Sequence, residues 1–594
     1  MAPGLGVMAS RLQWVPESLY NSAVSTLVNN YSNFQRDLRY LPENIAFDIF
    51  YQLYKQNRLC LLGCEFSDID VFAKILKAKD KRYLLHHCFQ AVMDHGAHTA
   101  RTLADAYQRR CYSALPSHTQ PFEALINLGL SLGNFLSDAG WFHESERMLL
   151  SCLNLCRQIN DYPHWVSALE CCMRLLHVQH SYCKFAEAAE TLEETHLYIV
   201  KLTDVGHSLN LAGLYSEFSA LYSCRSQYKE AYDWAMQAVR RLNSNAHPKS
   251  VIDVLRQASK ACVVKREFKQ AELLIKQALH LAWEHFGRDH PKTADTLLDY
   301  GFYLLNTDSV SSSVRVYRKV LDIRQKVHGG KNLHVAIAHE DLAYSSYVLE
   351  YRSGRFQNAK DHAETAMAIM TCLLPEDHLL LASAKRVKAL ILEEIAIDNS
   401  DKETERRLLQ EALELHTSAL RLSCQAFGEM NVQTAKHYGN LGRLYQSMRH
   451  FKEAEEMHLK AIQIKEKLLG PEDYEVALSV GHLASLYNYD MRLFEQAERL
   501  YLRSIAIGTK LFGEAYSGLE YDYRGLLRVS LEMAKGDQVL RYTRILEEWR
   551  HLRQRSMREG RDGSPFTFYV RSVPPEEMHR YIGRARALDG QETV

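Results

Sequence analysis

Between Thr434 and Gly513 the apolar and small residues fall at helical spacing in two runs separated by a short turn, and the whole pattern is then written again. Leu441, Gly442, Tyr445, Phe451, Ala454 and Ala461 return as Leu483, Ala484, Tyr487, Phe494, Ala497 and Ser504, displaced by 42 residues and, after one inserted residue, by 43. Each copy predicts a pair of antiparallel helices, with small residues where the two must approach closely.

The same pattern runs back to Phe122. Phe142, Phe185, Tyr228, Phe268, Val310, Phe356, Leu409, Phe451 and Phe494 open successive second helices at intervals of 40 to 53 residues. Three residues after each stands Ala or Ser: Ser145, Ala188, Ala231, Ala271, Ser313, Ala359, Ala412, Ala454 and Ala497. The two longest intervals mark insertions, one at Tyr351 to Gly354 between helices and one at Asn399 to Glu405 between repeats. Gly287, Gly330, Gly428, Gly470 and Gly513 are expected to close second helices, with Asp289-His290-Pro291 and Pro471-Glu472-Asp473 opening the next first helix. A degenerate tenth pair, Leu526 to Trp549, has Leu540 in the small position and reads as a cap. The repeat resembles the tetratricopeptide repeat in the roughly 42-residue form of kinesin light chains. The expected fold is an all-α tetratricopeptide-repeat superhelix of nine to ten pairs. Residues 122–550 form the array, 1–80 an N-terminal helical segment, 81–121 a helical connector and 551–594 a disordered tail.

Ahead of the array, Trp14, Val15, Pro16 and Glu17 lead into a helix whose apolar face is Leu19, Ala23 and Leu27. A second helix starts after Leu41 and Pro42, with Ile45, Ile49 and Leu53 on one stripe. On pattern alone the two form a helical hairpin capping the solenoid. Ser18-Leu19, Ala23 and Leu27 also resemble the elongin-binding box of ubiquitin-ligase substrate receptors, with Ala23 where that box prefers Cys. Leu41, Pro42 and Ile45 are similar to the cullin-2 box that such receptors carry next.

Longer runs, LPENIAFDIFYQLYKQNRL, DKRYLLHHCFQAVMDHG, DVLRQASKACVVKREFKQAE and LLDYGFYLLN, resemble the amyloid protein-binding protein 2 family up to about Asp522, and the tail departs from it. The resemblance implies a substrate receptor of cullin-2 RING ubiquitin ligases with elongin B/C and cullin-2 as partners. Its clients would carry C-terminal degrons in which an Arg precedes a Gly by a few residues. The same resemblance supports a kinesin-light-chain-like cargo adaptor, linking sorting signals such as the amyloid precursor protein cytoplasmic tail to microtubules. No heptad pattern for coiled-coil pairing precedes the array.

In tetratricopeptide arrays the first helix of each repeat lines the concave face. Asp295, Asp299, Glu340 and Asp341, with Tyr344 and Tyr347, therefore offer an acidic and aromatic strip for a guanidinium. Lys436, Asn440 and Arg443 offer a basic and amide patch for a carboxylate; His482, Asn488 and Tyr489 follow on the next repeat.

Lys plus Arg and Asp plus Glu number 72 each, so no net charge draws the chain to nucleic acid or anionic membrane. Neither a leader-like apolar run nor a run near the ~18 residues of a membrane span is present. Thirteen unframed cysteines suit free thiols of the cytoplasm or nucleus. No phosphate loop and no His-Glu-x-x-His helix occur, so no enzyme and no cofactor are expected. Cys171, Cys172, His177, His180 and Cys183 form a candidate zinc patch without paired knuckles, favouring buried thiols and no metal. Cys60 with Cys64, and His86-His87-Cys88, read as buried helix faces.

Overall fold

A computed structural model describes residues 18–114, 122–206, 209–351, 353–559, 564–568, 570 and 572–589. Trp14, Val15, Pro16 and Glu17 lie outside the described residues. Among the described residues there are helices and turns and no strand. The chain forms two compact units, Met1–Ser113 and Ala114–Val594.

In the first unit, helix Leu19–Asn29 starts at Ser18, whose hydroxyl accepts a bond from the Asn21 amide at 3.2 Å. Val24 and Val28 turn inward and pack on helix Glu43–Lys55, whose Phe47, Ile49, Phe50 and Leu53 are buried. The buried stripe is thus one residue around from the expected Leu19, Ala23 and Leu27. Leu59–Phe66, Ile69–Ile75, Arg82–Asp94 and Thr99–Ala114 complete the unit. Cys88 is buried there and its thiol is pushed up to about 12 by that burial, which removes it as a nucleophile. Cys60 and Cys64 are exposed instead of core.

The described residues of the second unit include ten helix pairs. The first five are Phe122–Asp138 with Phe142–Cys156, Tyr162–Ser181 with Phe185–Asp204, Ala212–Cys224 with Tyr228–Arg240, Pro248–Val264 with Phe268–Phe286, and Pro291–Asn306 with Val310–His328. The second five are Leu333–Glu350 with Gln357–Leu373, Leu380–Ile397 with Lys402–Phe427, Val432–Ser447 with Phe451–Leu469, Tyr474–Tyr489 with Phe494–Phe512, and Leu519–Glu532 with Gly536–Glu559.

Nine of the ten pairs are closed by one left-handed residue, repeat seven being the exception. Gly140, Cys183, Ser226, Arg266, Asp308, Gly354, Arg449, Arg492 and Ala534 sit in these turns with φ between 54° and 85°. The next amide usually bonds back five residues, as Trp141 does to Leu136 and Gln227 to Tyr222, which satisfies carbonyls the first helix leaves open. Repeat seven differs: its inserted residues extend the second helix backward to Lys402, so the insertion lies within the pair rather than between repeats. The second helix of repeat five ends at Gly329 (φ 66°), not Gly330.

The small position works as the sequence suggests. Where it is Ser the hydroxyl finds a buried acceptor, Ser145 on the Gly133 carbonyl at 2.7 Å and Ser313 on that of Gly301 at 2.9 Å. Ala454 and Ala497 are fully buried in one core with Val480, Leu483 and Tyr501. Ala454→Leu should overpack this core by about 1–3 kcal/mol and lower the thermal midpoint by circular dichroism, and a melt equal to wild type would contradict the register.

The tail departs from the expected disorder over its described residues. The tenth second helix continues to Glu559, and a further helix, Met578–Asp589, packs on the second helices of repeats three and four. Met578 is fully buried, and Phe568 stacks on Trp283 with ring centroids 5.4 Å apart. A few spaced apolar residues suffice because the array already presents an apolar furrow; they leave no helical stripe in the sequence.

Repeats five apart also touch. The turn of repeat one meets the start of repeat six, where Asn332 caps its own helix through the His334 amide at 2.9 Å and donates its side-chain amide to the Ala139 carbonyl at 2.8 Å. Repeats two and seven meet through Tyr182 and His378, ring centroids 4.3 Å apart. Asn431 repeats the double role between repeats eight and three, capping Gln433 and donating to the Arg225 carbonyl at 3.1 Å. Arg266 lies over the Tyr474 ring at 5.0 Å, joining four to nine. Asp308 accepts from Ser517 Oγ at 2.7 Å and from Arg553 at 2.5 Å, joining five to ten. Five repeats therefore complete one turn of the array, and ten make two turns that lie edge on edge.

Candidate peptide-binding channel

Because the array closes on itself every five repeats, the concave face becomes the wall of a channel. Three places in the repeat supply that wall. Asp253, Asp295, Asp341 and Lys436 stand 15 residues ahead of their second-helix anchors, Arg174, Glu217, Asp299 and Asn440 stand 11 ahead, and His177, Lys260, Phe302 and Arg443 stand 8 ahead. These spacings of three to four residues put all three places on one helical face.

Most of the charge in the wall is neutralised from within. Arg256 bonds Asp299 at 2.7 Å and Asp253 at 3.1 Å, Lys260 lies 3.4 Å from Asp299, and Arg324 bonds Asp295 at 3.0 Å. Burial alone would raise the Asp295 carboxyl, but Arg256 and Arg324 hold it well below the ordinary range. Asp295 and Asp299, expected to be free for a guanidinium, thus already hold two. Arg443 is likewise taken, by Glu393 at 2.8 Å, Glu394 at 3.2 Å and the Tyr347 hydroxyl at 3.2 Å. Lys436 pairs with Glu475 at 3.0 Å, so the expected carboxylate patch is spoken for apart from the half-buried Asn440 between them. Sequence spacing puts these residues on one helical face and does not reveal their partners, because Arg256, Arg324, Glu393 and Glu475 come from neighbouring elements.

Glu340 and Asp341 are the exception. Among the described residues no basic side chain bonds either one; Glu340 accepts from Ser383, and the nearby Arg386 guanidinium instead covers the Tyr344 ring at 5.1 Å from its centroid. Burial, and for Asp341 the neighbouring Glu340, push both carboxyls up, Asp341 to about 7. Both carboxyls feel the charge of Arg386, and Asp341 that of Arg324 as well, without a direct bond to either guanidinium.

Repeats seven to nine bury His416, His437 and His458 and half-bury His482. His416 and His458 are fully enclosed with both ring nitrogens unpaired, and burial holds His437 and His458 down at about 3. His482 is also held well below its ordinary value by burial. A neutral buried imidazole stabilises the fold above the unfolded-state value near 6.5 and ceases to do so as pH falls from there toward 3. Relative to His458→Gln, wild type should lose about 1.4 kcal/mol per pH unit below 6.5, measurable as converging denaturant midpoints between pH 7 and 5.

The candidate metal patch of the sequence is taken apart. Cys171 joins Cys152, 3.3 Å away sulfur to sulfur, and Cys156 in a buried thiol cluster, whereas His177 and His180 turn to Glu217 of repeat three. The Cys171 thiol is raised well above its ordinary value by its two neighbouring thiols and by burial.

In the first unit, Leu19 is 91% exposed and Ala23 is exposed beside it, with Leu27 half-buried, on the side of their helix turned away from Glu43–Lys55. Pro42 is exposed at the start of that second helix, and Leu41 and Ile45 are half-buried. Leu19 is thus the large apolar side chain of this group left open in the unit.

Helix pairs of about 42 residues, a small residue at the crossing and a channel lined by first helices define a tetratricopeptide-repeat protein, and residues 434–475 match the tetratricopeptide-repeat family model. The fold is of a kind typical of non-catalytic scaffold and adaptor proteins. The chain is 61% identical over 547 residues to amyloid protein-binding protein 2 of Mus musculus and equally to that of Rattus norvegicus, covering 92% of this chain and 94% of either relative. It belongs to the amyloid protein-binding protein 2 family. A solved structure of a Rap protein complexed with competence and sporulation factor is similar at 14% identity and a TM-score of 0.47, covering 65% of this chain and 98% of that one. No helix among the described residues is long and apolar enough to cross a membrane.

Proposed function

We propose that this protein is a substrate receptor of a cullin-2 RING ubiquitin ligase. The first unit docks on elongin B/C through Ser18, Leu19, Ala23 and Leu27 and on cullin-2 through Leu41, Pro42 and Ile45. The array captures Arg/Gly-containing C-terminal degrons, and the ligase chemistry resides in partner chains. The observation that carries this reading is Leu19: a large apolar side chain held in the open on a helix that has already buried its other face implies a partner pocket. The ligand reading is supported by Glu340 and Asp341, two neighbouring carboxyls to which no basic side chain among the described residues is bonded, which offer acceptors for one planar guanidinium. A protein of this kind works in the cytoplasm and nucleus.

Affinity purification of the tagged full chain from cells, read by mass spectrometry, tests the proposal. Elongins and cullin-2 should co-purify in stoichiometric amounts; kinesin and tubulin in their place would establish the cargo-adaptor alternative.

A further inference from the structure

Repeats two and three meet in the channel wall through a group of donors that the peptide-binding reading does not use. His177 and His180 are one turn apart on helix Tyr162–Ser181, so both imidazoles project on one side toward the next first helix, Ala212–Cys224. There they converge on a single atom: His177 Nδ1 lies 3.2 Å and His180 Nε2 2.8 Å from the same oxygen, Oε2 of Glu217. The three donor atoms all lie within 4.8 Å of one another. Ligands bound at 2.0–2.2 Å to a tetrahedral ion stand about 3.4 Å apart, so the two edges that meet at Glu217 are within a few tenths of an ångström of such a shell before any side chain moves.

We infer that His177, His180 and Glu217 form a binding site for a single zinc ion, bridging the first helices of repeats two and three.

Two imidazole nitrogens and one carboxylate oxygen are a borderline donor set that suits zinc. Zinc takes four donors, and the position opposite the triangle is supplied by water, because His177 keeps half of its side-chain surface open. His177 and Glu217 occupy the same places in the repeat as Lys260 with Asp299 one step on, where a direct ion pair does the bridging. Substituting histidine for lysine replaces a self-sufficient pair by one that a cation can complete. Cys224 ends the same first helix that carries Glu217. Binding would lock the two repeats together on the turn of the channel opposite in sequence from Glu340 and Asp341, so the metal site and the guanidinium site are tested separately.

The experiment uses the full chain, stripped with EDTA under reductant, and titrates it with Zn(II) against a chromogenic chelator. One tight equivalent is expected. Glu217→Gln, which keeps the shape of the side chain, and His177→Ala should each weaken it at least about tenfold while leaving the circular dichroism spectrum unchanged. Cys171→Ser, in the neighbouring thiol cluster, should have no effect. Co(II) in place of zinc should give visible d–d bands without a sulfur-to-cobalt charge-transfer band. Absence of a stoichiometric equivalent, wild-type affinity in both Glu217→Gln and His177→Ala, or loss confined to Cys171→Ser would each overturn the assignment.

Discussion

Neutralising Glu340 and Asp341 together, as Glu340→Gln with Asp341→Asn, is expected to abolish binding of an Arg-bearing degron peptide in a fluorescence-anisotropy titration. Each charge-assisted contact is worth about 1.5–3 kcal/mol, so losing both lowers affinity by about a hundredfold or more. The substitutions conserve shape and remove no ion pair, since among the described residues neither carboxylate has a basic partner. Asp299→Lys would be a poor test by comparison, because it breaks the bond to Arg256 and disturbs the wall itself. The pH dependence sharpens the experiment. Asp341 stands at about 7 in the free protein, and an Arg side chain binds its ionised form. Affinity should therefore be full above pH 7 and fall as pH drops through it, by up to about tenfold per unit. The double variant should lose this slope along with the affinity. A Lys in place of the peptide Arg keeps the charge and loses the planar fork, so it should bind more weakly. Unchanged affinity in the double variant would move the guanidinium site elsewhere in the channel.

Leu19→Lys should eliminate elongin binding without affecting the fold. Leu19 is exposed in the free chain and Val24 and Val28 hold its helix, so nothing in the first unit depends on it. In a complex, however, it would place an ammonium in an apolar pocket, a loss of about 2 kcal/mol or more for a central anchor. Folded Leu19→Lys protein that still pulls down elongins at wild-type level would refute the receptor reading. Pro42→Ala, at an exposed position, should weaken cullin-2 and leave elongin binding intact; Ile45 is less clean, being half-buried against its own unit.

The array was legible because its grammar is local. A small residue three places after an aromatic, and a turn between two stripes, are fixed by the approach of two adjacent helices, so every pair from Phe122 onward could be placed from the sequence. What could not be read depends on residues far apart. Asn332 and Asn431 look like ordinary helix caps; only their second bonds, to carbonyls of Ala139 and Arg225 about two hundred residues away, set five repeats to a turn. The same distance hid the state of the candidate site. Asp295 and Glu340 carry equal charge and similar positions in the repeat, yet one is answered by Arg256 and Arg324 and the other by a serine. At the N-terminus the helix was placed correctly and its buried face was off by one step, because Leu19, Ala23 and Leu27 are as apolar as Val24 and Val28 and composition alone does not say which valence is left for a partner. The tail helix was missed for the opposite reason: Phe568, Val573, Met578 and Ile582 are too sparse to form a stripe, and their burial depends on a furrow made by other repeats.

The edge-to-edge seam between repeats five apart has a topological consequence. An open groove can accept the middle of a polypeptide laid across it from the side. Where successive turns are joined, at Asn332, Tyr182, Asn431, Arg266 and Asp308, a polypeptide entering from the side would have to part those contacts, whereas a free end would not. An internal loop of a folded client would have to pass two strands through together or part all five joins of the seam. In the receptor reading proposed above, this winding would favour chain ends over chain interiors ahead of any contact with a terminal carboxylate.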